Sequence, residues 1–454
     1  MARTHRGWLP TRRGLLRTAC AAAGVGAAGA LAACGPGQTG AGEPASTVTG
    51  AQHLRIWWPF GSHNLAVEES WTEFQSKHPG WTAEIVFDGS YAKFLTAVAA
   101  GDVPDVYLPS SEFVLEAAAK GFLRPLDQFI ARDKVSWQRY FTAAQIGAEY
   151  KSKRYGMPHH VDVYSVYAND KVLRESGLDP KKKPGSWDEL AATNQRLKKL
   201  APEGFPSRLG FVPAYGIGAF PLFYFPANGV RLTTQDGTKV AFDTPAGLEA
   251  IEWIGAAIKN LGSWEQITAF QKQIQGGVGG ALARDALAYG HSGVWILEYN
   301  VYTVTPDAEI SQWNLPGGPS AKGKEFGHFI ADYDVIPTDS KKAEAAWLYL
   351  LHDASPAGQK YVQSAPGAWD IATIPSVAND AEAVKKQPWR KRANELMATA
   401  NQPSYFPHPG SREINGAISR AVTPFLEGKE GAKATMEHLK QEVQTLMDQY
   451  RPTT

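Results

Sequence analysis

The sequence predicts an α/β fold in two packed units. Three observations lead there: the length, the proportion of apolar residues, and a strand–helix alternation that begins near residue 53 and restarts after Met157-Pro158. At 454 residues the chain suits two domains plus processing segments. Hydrophobic residues make up 43% and charged residues 20%, enough apolar surface to bury a sizeable core.

The elements follow in order. Leu54-Arg55-Ile56-Trp57-Trp58 reads as a short strand ended by Pro59. From Asn64 to His78, Val67, Trp71 and Phe74 fall at helical spacing, and Pro79-Gly80 stops the helix. Trp81, Ala83, Ile85 and Phe87 then alternate with Thr82, Glu84 and Val86 as a strand. Tyr91 to Ala100 is a helix closed by Gly101, Asp105 to Leu108 a strand, and Ser111 to Lys120 a helix ended by Gly121. This βαβαβα order predicts a largely parallel sheet with helices on both faces.

In the second unit Ser186-Trp187-Asp188-Glu189 has capping-box spacing and opens a helix expected to reach Leu200. Val230 to Phe242 resembles a hairpin turning at Asp236-Gly237. Thr244-Pro245 starts a helix with Ile251, Ile254, Ile258 and Leu261 on one face. Ala346, Trp347, Leu350 and Leu351 mark another helix, and Ser355-Pro356 caps the next. The last helix carries Met436, Leu439, Val443, Leu446 and Tyr450 as a stripe for docking onto the body.

The first fifty residues read as an address and a tether. Arg12-Arg13 is a twin-arginine pattern, followed by an Ala/Gly-rich stretch from Thr18 to Ala33. Leu31-Ala32-Ala33-Cys34-Gly35 looks like a lipobox, which makes 1–33 a signal peptide, Cys34 the lipidation site and 34–50 a flexible leash with a reach of roughly 20–25 Å. The expected location is extracytoplasmic, on the outer face of the membrane or in a periplasm.

Charge and cysteine content narrow the function. Five of the 46 basic residues, Arg3, Arg6, Arg12, Arg13 and Arg17, lie in the first 33, leaving 41 against 45 acidic ones and a mildly acidic body. It lacks the obvious basic stripe expected of a nucleic-acid binder. The two cysteines, Cys20 and Cys34, are both N-terminal, so the body holds neither a disulfide nor a thiolate metal cluster.

Enzyme motifs mostly fail. The segment Gly318 to Lys324 starts like a phosphate loop, but Pro319 removes an N–H and Glu325 stands where magnesium needs a hydroxyl. Gly290-His291-Ser292-Gly293 approaches a nucleophile elbow but has Val294 in place of the second glycine. His159, His160 and Asp162 offer metal-ligating groups, yet on a strand the two histidines point to opposite faces and cannot readily share an ion. No metal or other cofactor is expected. A pair of catalytic carboxylates has no fixed sequence spacing, so the motifs do not address it.

Taken together, several segments resemble the extracellular solute-binding proteins of ABC importers, of the carbohydrate-binding, maltose-binding-protein-like class. They are Trp71 to Gly80, Ala99-Ala100-Gly101-Asp102-Val103-Pro104-Asp105-Val106, Gly121-Phe122-Leu123-Arg124-Pro125-Leu126, Tyr155 to Pro158, Gly185 to Leu190, and Ala281 to Tyr299 with Gly293-Val294-Trp295. Ala168-Asn169-Asp170-Lys171 departs from the family's Tyr-Asn-Lys. The resemblance implies a two-lobe periplasmic-binding-protein-like fold of type II, each lobe a mostly parallel sheet flanked by helices and joined by hinge crossings. The first lobe would take 51–160 plus 326–370, and the second 161–325 plus 371–450.

It also implies the job: a lipid-anchored, monomeric protein capturing a sugar or oligosaccharide between its lobes, closing on it, and passing it unaltered to permease subunits. Within that frame Trp295 falls at the family's cleft tryptophan and Asp162 at a cleft acid. Trp57 and Trp58 alternate faces, so one belongs to the core and the other to the cleft mouth. Ser110 and Ser111 follow the third strand, as ligand-holding loop or simple helix cap. Tyr215 and Tyr224 suit a cleft wall or a core equally. Trp369 sits near the last crossing, and Arg412 replaces a cleft aromatic, as a rim ion pair or a contact to an acidic sugar. The alternatives are a surface-anchored carbohydrate-active hydrolase, or the same fold holding a polyol, a glycerol phosphate diester or a peptide.

Overall fold

The computed structural model describes residues 48–450 apart from 61–64, 203, 205, 216–219 and 366–367. The twin-arginine segment, Cys34 and most of the tether lie outside the described residues. Among those described, no helix is long and apolar enough to cross a membrane.

The strand His53–Trp57 pairs in parallel with Thr82–Val86 on one side and Val106–Tyr107 on the other. Helices Leu65–Lys77, Tyr91–Ala100 and Ser111–Ala119 connect and follow these strands, as the alternation of patterns predicts. Gly101 closes the second of them in the left-handed region, at φ 69°, a conformation that suits glycine. Beyond this parallel half, two long strands change the pattern. His328–Val335 runs antiparallel to Val106–Tyr107 and to Gly156–Asn169, and Gly156–Asn169 in turn runs antiparallel to Leu287–Gly293. Pro206–Phe211 continues the sheet in parallel with Leu287–Gly293.

The strand Gly156–Asn169 therefore serves both halves. Its first part, to Tyr164, pairs with His328–Val335, and its end, from Tyr164 to Ala168, pairs with Tyr289–Gly293. It is 14 residues long and almost wholly buried, which its sequence permits because apolar and polar side chains alternate between a core face and a cleft face.

Local differences from the sequence expectation have local causes. The helix opened by Ser186 ends at Leu197, because Lys199–Leu200 leaves it to pair with the strand at Pro206–Arg208. Ser186 accepts from the Glu189 N–H, but the Glu189 carboxylate accepts from the Gly185 N–H, one residue earlier than a full capping box requires. The Asp236-Gly237 turn forms, with a single bridge between Thr233 and Val240 in place of a regular hairpin. In the last helix, Ala432–Gln449, Met447 joins Met436, Leu439 and Val443 in the buried stripe, and Leu446 is only partly buried.

Candidate functional site

A cavity of about 680 Å³ lies over one face of the two paired long strands. It is within the usual size of small-molecule sites. Alternation on Pro158 to Tyr164 sends His160, Asp162 and Tyr164 into it, and Ile330 and Asp332 enter from the partner strand at the positions paired with Asp162 and His160. The register slips between Asp332 and Tyr333. This lets Asp332 face the cavity with His160 while Asp334 meets His159 on the core side.

The walls are aromatic. Trp58 stands edge-on to Phe60 at 5.0 Å and lies 5.9 Å from the His160 ring. Trp295 meets Tyr164 nearly perpendicularly at 5.3 Å. Tyr299 and Trp369 pair at 5.9 Å, and Tyr91 and Phe113 at 4.7 Å. Trp295 can occupy its place only because residue 293 lacks a side chain: a Cβ there would fall 1.8 Å from the indole ring.

The floor is acidic. His160 Nε2 lies 3.2 Å from Asp332 and 3.8 Å from both Asp162 and Asp370. Burial alone would lower the pKa of His160, but the carboxylates of Asp370, Asp332 and Asp162 outweigh it and raise it to about 10, so the imidazolium persists at neutral pH. Asp162 is raised well above the ordinary range by burial and by Asp370. Its Oδ1 is buried without a hydrogen-bond partner. Asp370 is placed from behind: Arg390 donates to its carbonyl at 2.6 Å and to that of Ala368 at 2.8 Å. Gln359 accepts from the Thr373 N–H at 2.7 Å.

The two histidines face opposite sides, as strand alternation requires. His159 gathers Asp334 and Asp353, and His160 gathers Asp162 and Asp370, each a trio of donors lying within 4.8 Å of one another. His159 Nδ1 sits 2.5 Å from Asp353, whose carboxylate also accepts from the Ser70 hydroxyl at 2.5 Å. Ser292, in the near-elbow motif, lies inside Leu287–Gly293 paired with Ser165, in the strand ahead of the Val294-Trp295 turn and not at the turn where an elbow exposes its nucleophile.

Residues 61–369, well over half of the chain, match the family model described as bacterial extracellular solute-binding protein. The chain belongs to that family. A Brucella abortus protein named as a binding protein is 23% identical over 293 residues, 62% of this chain and 67% of its own. Among solved structures, CpMnBP1 with mannotriose bound superposes at a TM-score of 0.73 with 23% identity, covering 87% of this chain and 99% of its own. The sugar-binding protein MalE of Xanthomonas citri gives 0.72 with 18% identity, covering 87% and 98%. This solute-binding protein thus has the two-lobe periplasmic-binding-protein fold.

Of the ten residues singled out from sequence, the cavity is lined by Trp58, Ser110, Asp162, Trp295 and Trp369. Ser110 occupies the cap position of Ser111–Ala119 but makes no capping hydrogen bond, whereas Ser111 donates to the Ala331 carbonyl at 2.7 Å. Trp57 packs over Gly89 on the other face of its strand. Tyr215 and Tyr224 are core residues of the second half: Tyr215 lies against Phe270, and Tyr224 between Trp187 and Trp253. Arg412 bonds the buried Glu116 at 3.3 Å and covers the Tyr91 ring, behind the cavity wall.

Sequence reading missed Glu112, Asp332, Asp370 and Tyr299 in the solute-binding protein. They come from four separate segments, and only the strand carrying His160, Asp162 and Tyr164 had a period that could have grouped its members.

Glu112 gives a measurable signature. Burial and then the Asp332 charge push its pKa up to about 7, against a gain from the Asn415 amide, which donates to it at 3.1 Å. A carboxyl raised on folding weakens the fold as pH rises from its unfolded value, near 4.5, through 7. Glu112→Gln is therefore expected to stabilise the protein by about 1–3 kcal/mol at pH 8 and to be neutral near pH 4. Urea melts at the two pH values test this; equal effects at both would refute the assignment.

Proposed function

We propose that this protein is the carbohydrate-capturing component of an ABC importer. The supporting observation is the cavity, in which aromatic rings and carboxyl acceptors converge over the two paired long strands. Sugar C–H faces pack on aromatic rings, and hydroxyls donate to carboxylates more strongly than to neutral acceptors. The mannotriose-bound and sugar-binding neighbours point the same way. In this reading the lobes are 51–160 with 326–370 and 161–325 with 371–450. Solute touches both in the closed form only, and that difference in affinity drives closure. The closed form is recognised by a membrane permease, which takes up the solute, and two acyl chains on Cys34 keep the protein at the surface.

Isothermal titration against mono- and oligosaccharides, with product analysis of the same samples, is expected to show saturable binding of at least one sugar and its recovery unchanged. Absence of binding across the panel overturns the carbohydrate reading, and cleavage of a glycoside would establish the hydrolase alternative. Mass analysis of the native protein tests the anchor, by a diacylglyceryl-modified Cys34 at the mature N-terminus.

A further inference from the structure

We infer that the cleft selects saccharides carrying a free, protonated amine over their neutral counterparts. This deepens the carbohydrate reading and rests on it. Four carboxyl groups line the cavity, Glu112, Asp162, Asp332 and Asp370, against one imidazolium, His160. The His160 cation is closest to Asp332, at 3.2 Å, and more distant from the other two aspartates, at 3.8 Å.

The nearest buried guanidinium does not redress the balance by direct bonding. Arg390 gives its N–H groups to Gln387, Gln363 and the carbonyls of Ala368 and Asp370. Arg412 is engaged by Glu116. Asp162, only 5% exposed, keeps Oδ1 without a partner on the cavity wall.

A neutral hydroxyl could satisfy that oxygen's hydrogen-bonding capacity but would not favour the ionised form of Asp162, which burial and the neighbouring Asp370 oppose. An ammonium does both, and the surrounding indole and phenol faces of Trp58, Trp295, Tyr299 and Trp369 favour a cation in the same space. The cavity, at about 680 Å³, leaves room for sugar rings beside the amine.

The test titrates the full-length protein at pH 6 with matched triplets: a parent sugar, its 2-amino-2-deoxy form and the N-acetylated form. The triplets span gluco, manno and galacto monosaccharides and β-1,4-linked gluco disaccharides and trisaccharides. In every triplet that binds, the amine form is expected to be roughly tenfold tighter or more than both neutral forms. Asp162→Asn and, separately, Asp370→Asn are expected to bring that ratio to within about threefold of one.

Neutral forms binding as tightly as the amine overturn the inference and leave the carbohydrate reading standing. A preference that survives both substitutions overturns the assignment to these acids. Binding of spermidine without any sugar overturns inference and reading together.

Discussion

Replacing His160 with glutamine is expected to cost about 3–5 kcal/mol of stability near pH 6, because it leaves three neighbouring carboxylates without their buried cation. The direction with pH follows from the raised pKa. A histidine whose pKa climbs from 6.5 to about 10 on folding contributes its full stabilisation below 6.5 and loses it as pH rises through 10. Urea melts of His160→Gln against the parent should show a gap that narrows across that interval. Adding Asp332→Asn to His160→Gln is expected to recover part of the loss, since it removes the closest surplus charge. A constant gap at all pH values would mean that His160 acts by packing alone.

Trp295→Ala should weaken sugar binding roughly 100-fold, as loss of a central aromatic anchor does. Its effect on stability should be small, because the ring is half-buried and borders the cavity. Trp295→Phe, which retains an aromatic face, should fall between. The measurements are titration with the tightest sugar of the panel and thermal unfolding without sugar. Parallel losses in both would make Trp295 a core residue that merely borders the cleft.

How much of this was legible in the sequence depends on the range of the interaction. Pro79-Gly80, Gly101 and Thr244-Pro245 act within a few residues, and the helices they delimit stand where the pattern puts them. Lys199–Leu200 was misjudged because its fate is set by pairing with Pro206–Arg208, which no helical propensity encodes. Trp295 and Asp162 were found through resemblance, but Asp332 and Asp370 join the site only once the His328–Val335 strand and the chain before Ile371 fold against Gly156–Asn169. Tyr215 and Tyr224 show the converse case: aromatic residues in a Pro/Gly-rich stretch read equally as wall or core, and tertiary packing places them in the core.

The shared strand Gly156–Asn169 has a mechanical consequence. Its ladder passes without interruption from one half of the sheet to the other, so rotating the halves would twist a hydrogen-bonded ribbon and leave its amides paired. The resistance to opening would then come from side chains that bridge to the helix Ser411–Leu426, chiefly Arg412 on Glu116 and Asn415 on Glu112. A latch of that kind, whose ionic part joins the partly exposed Arg412 to the buried Glu116, would loosen only modestly with ionic strength, and the ribbon beneath it would not.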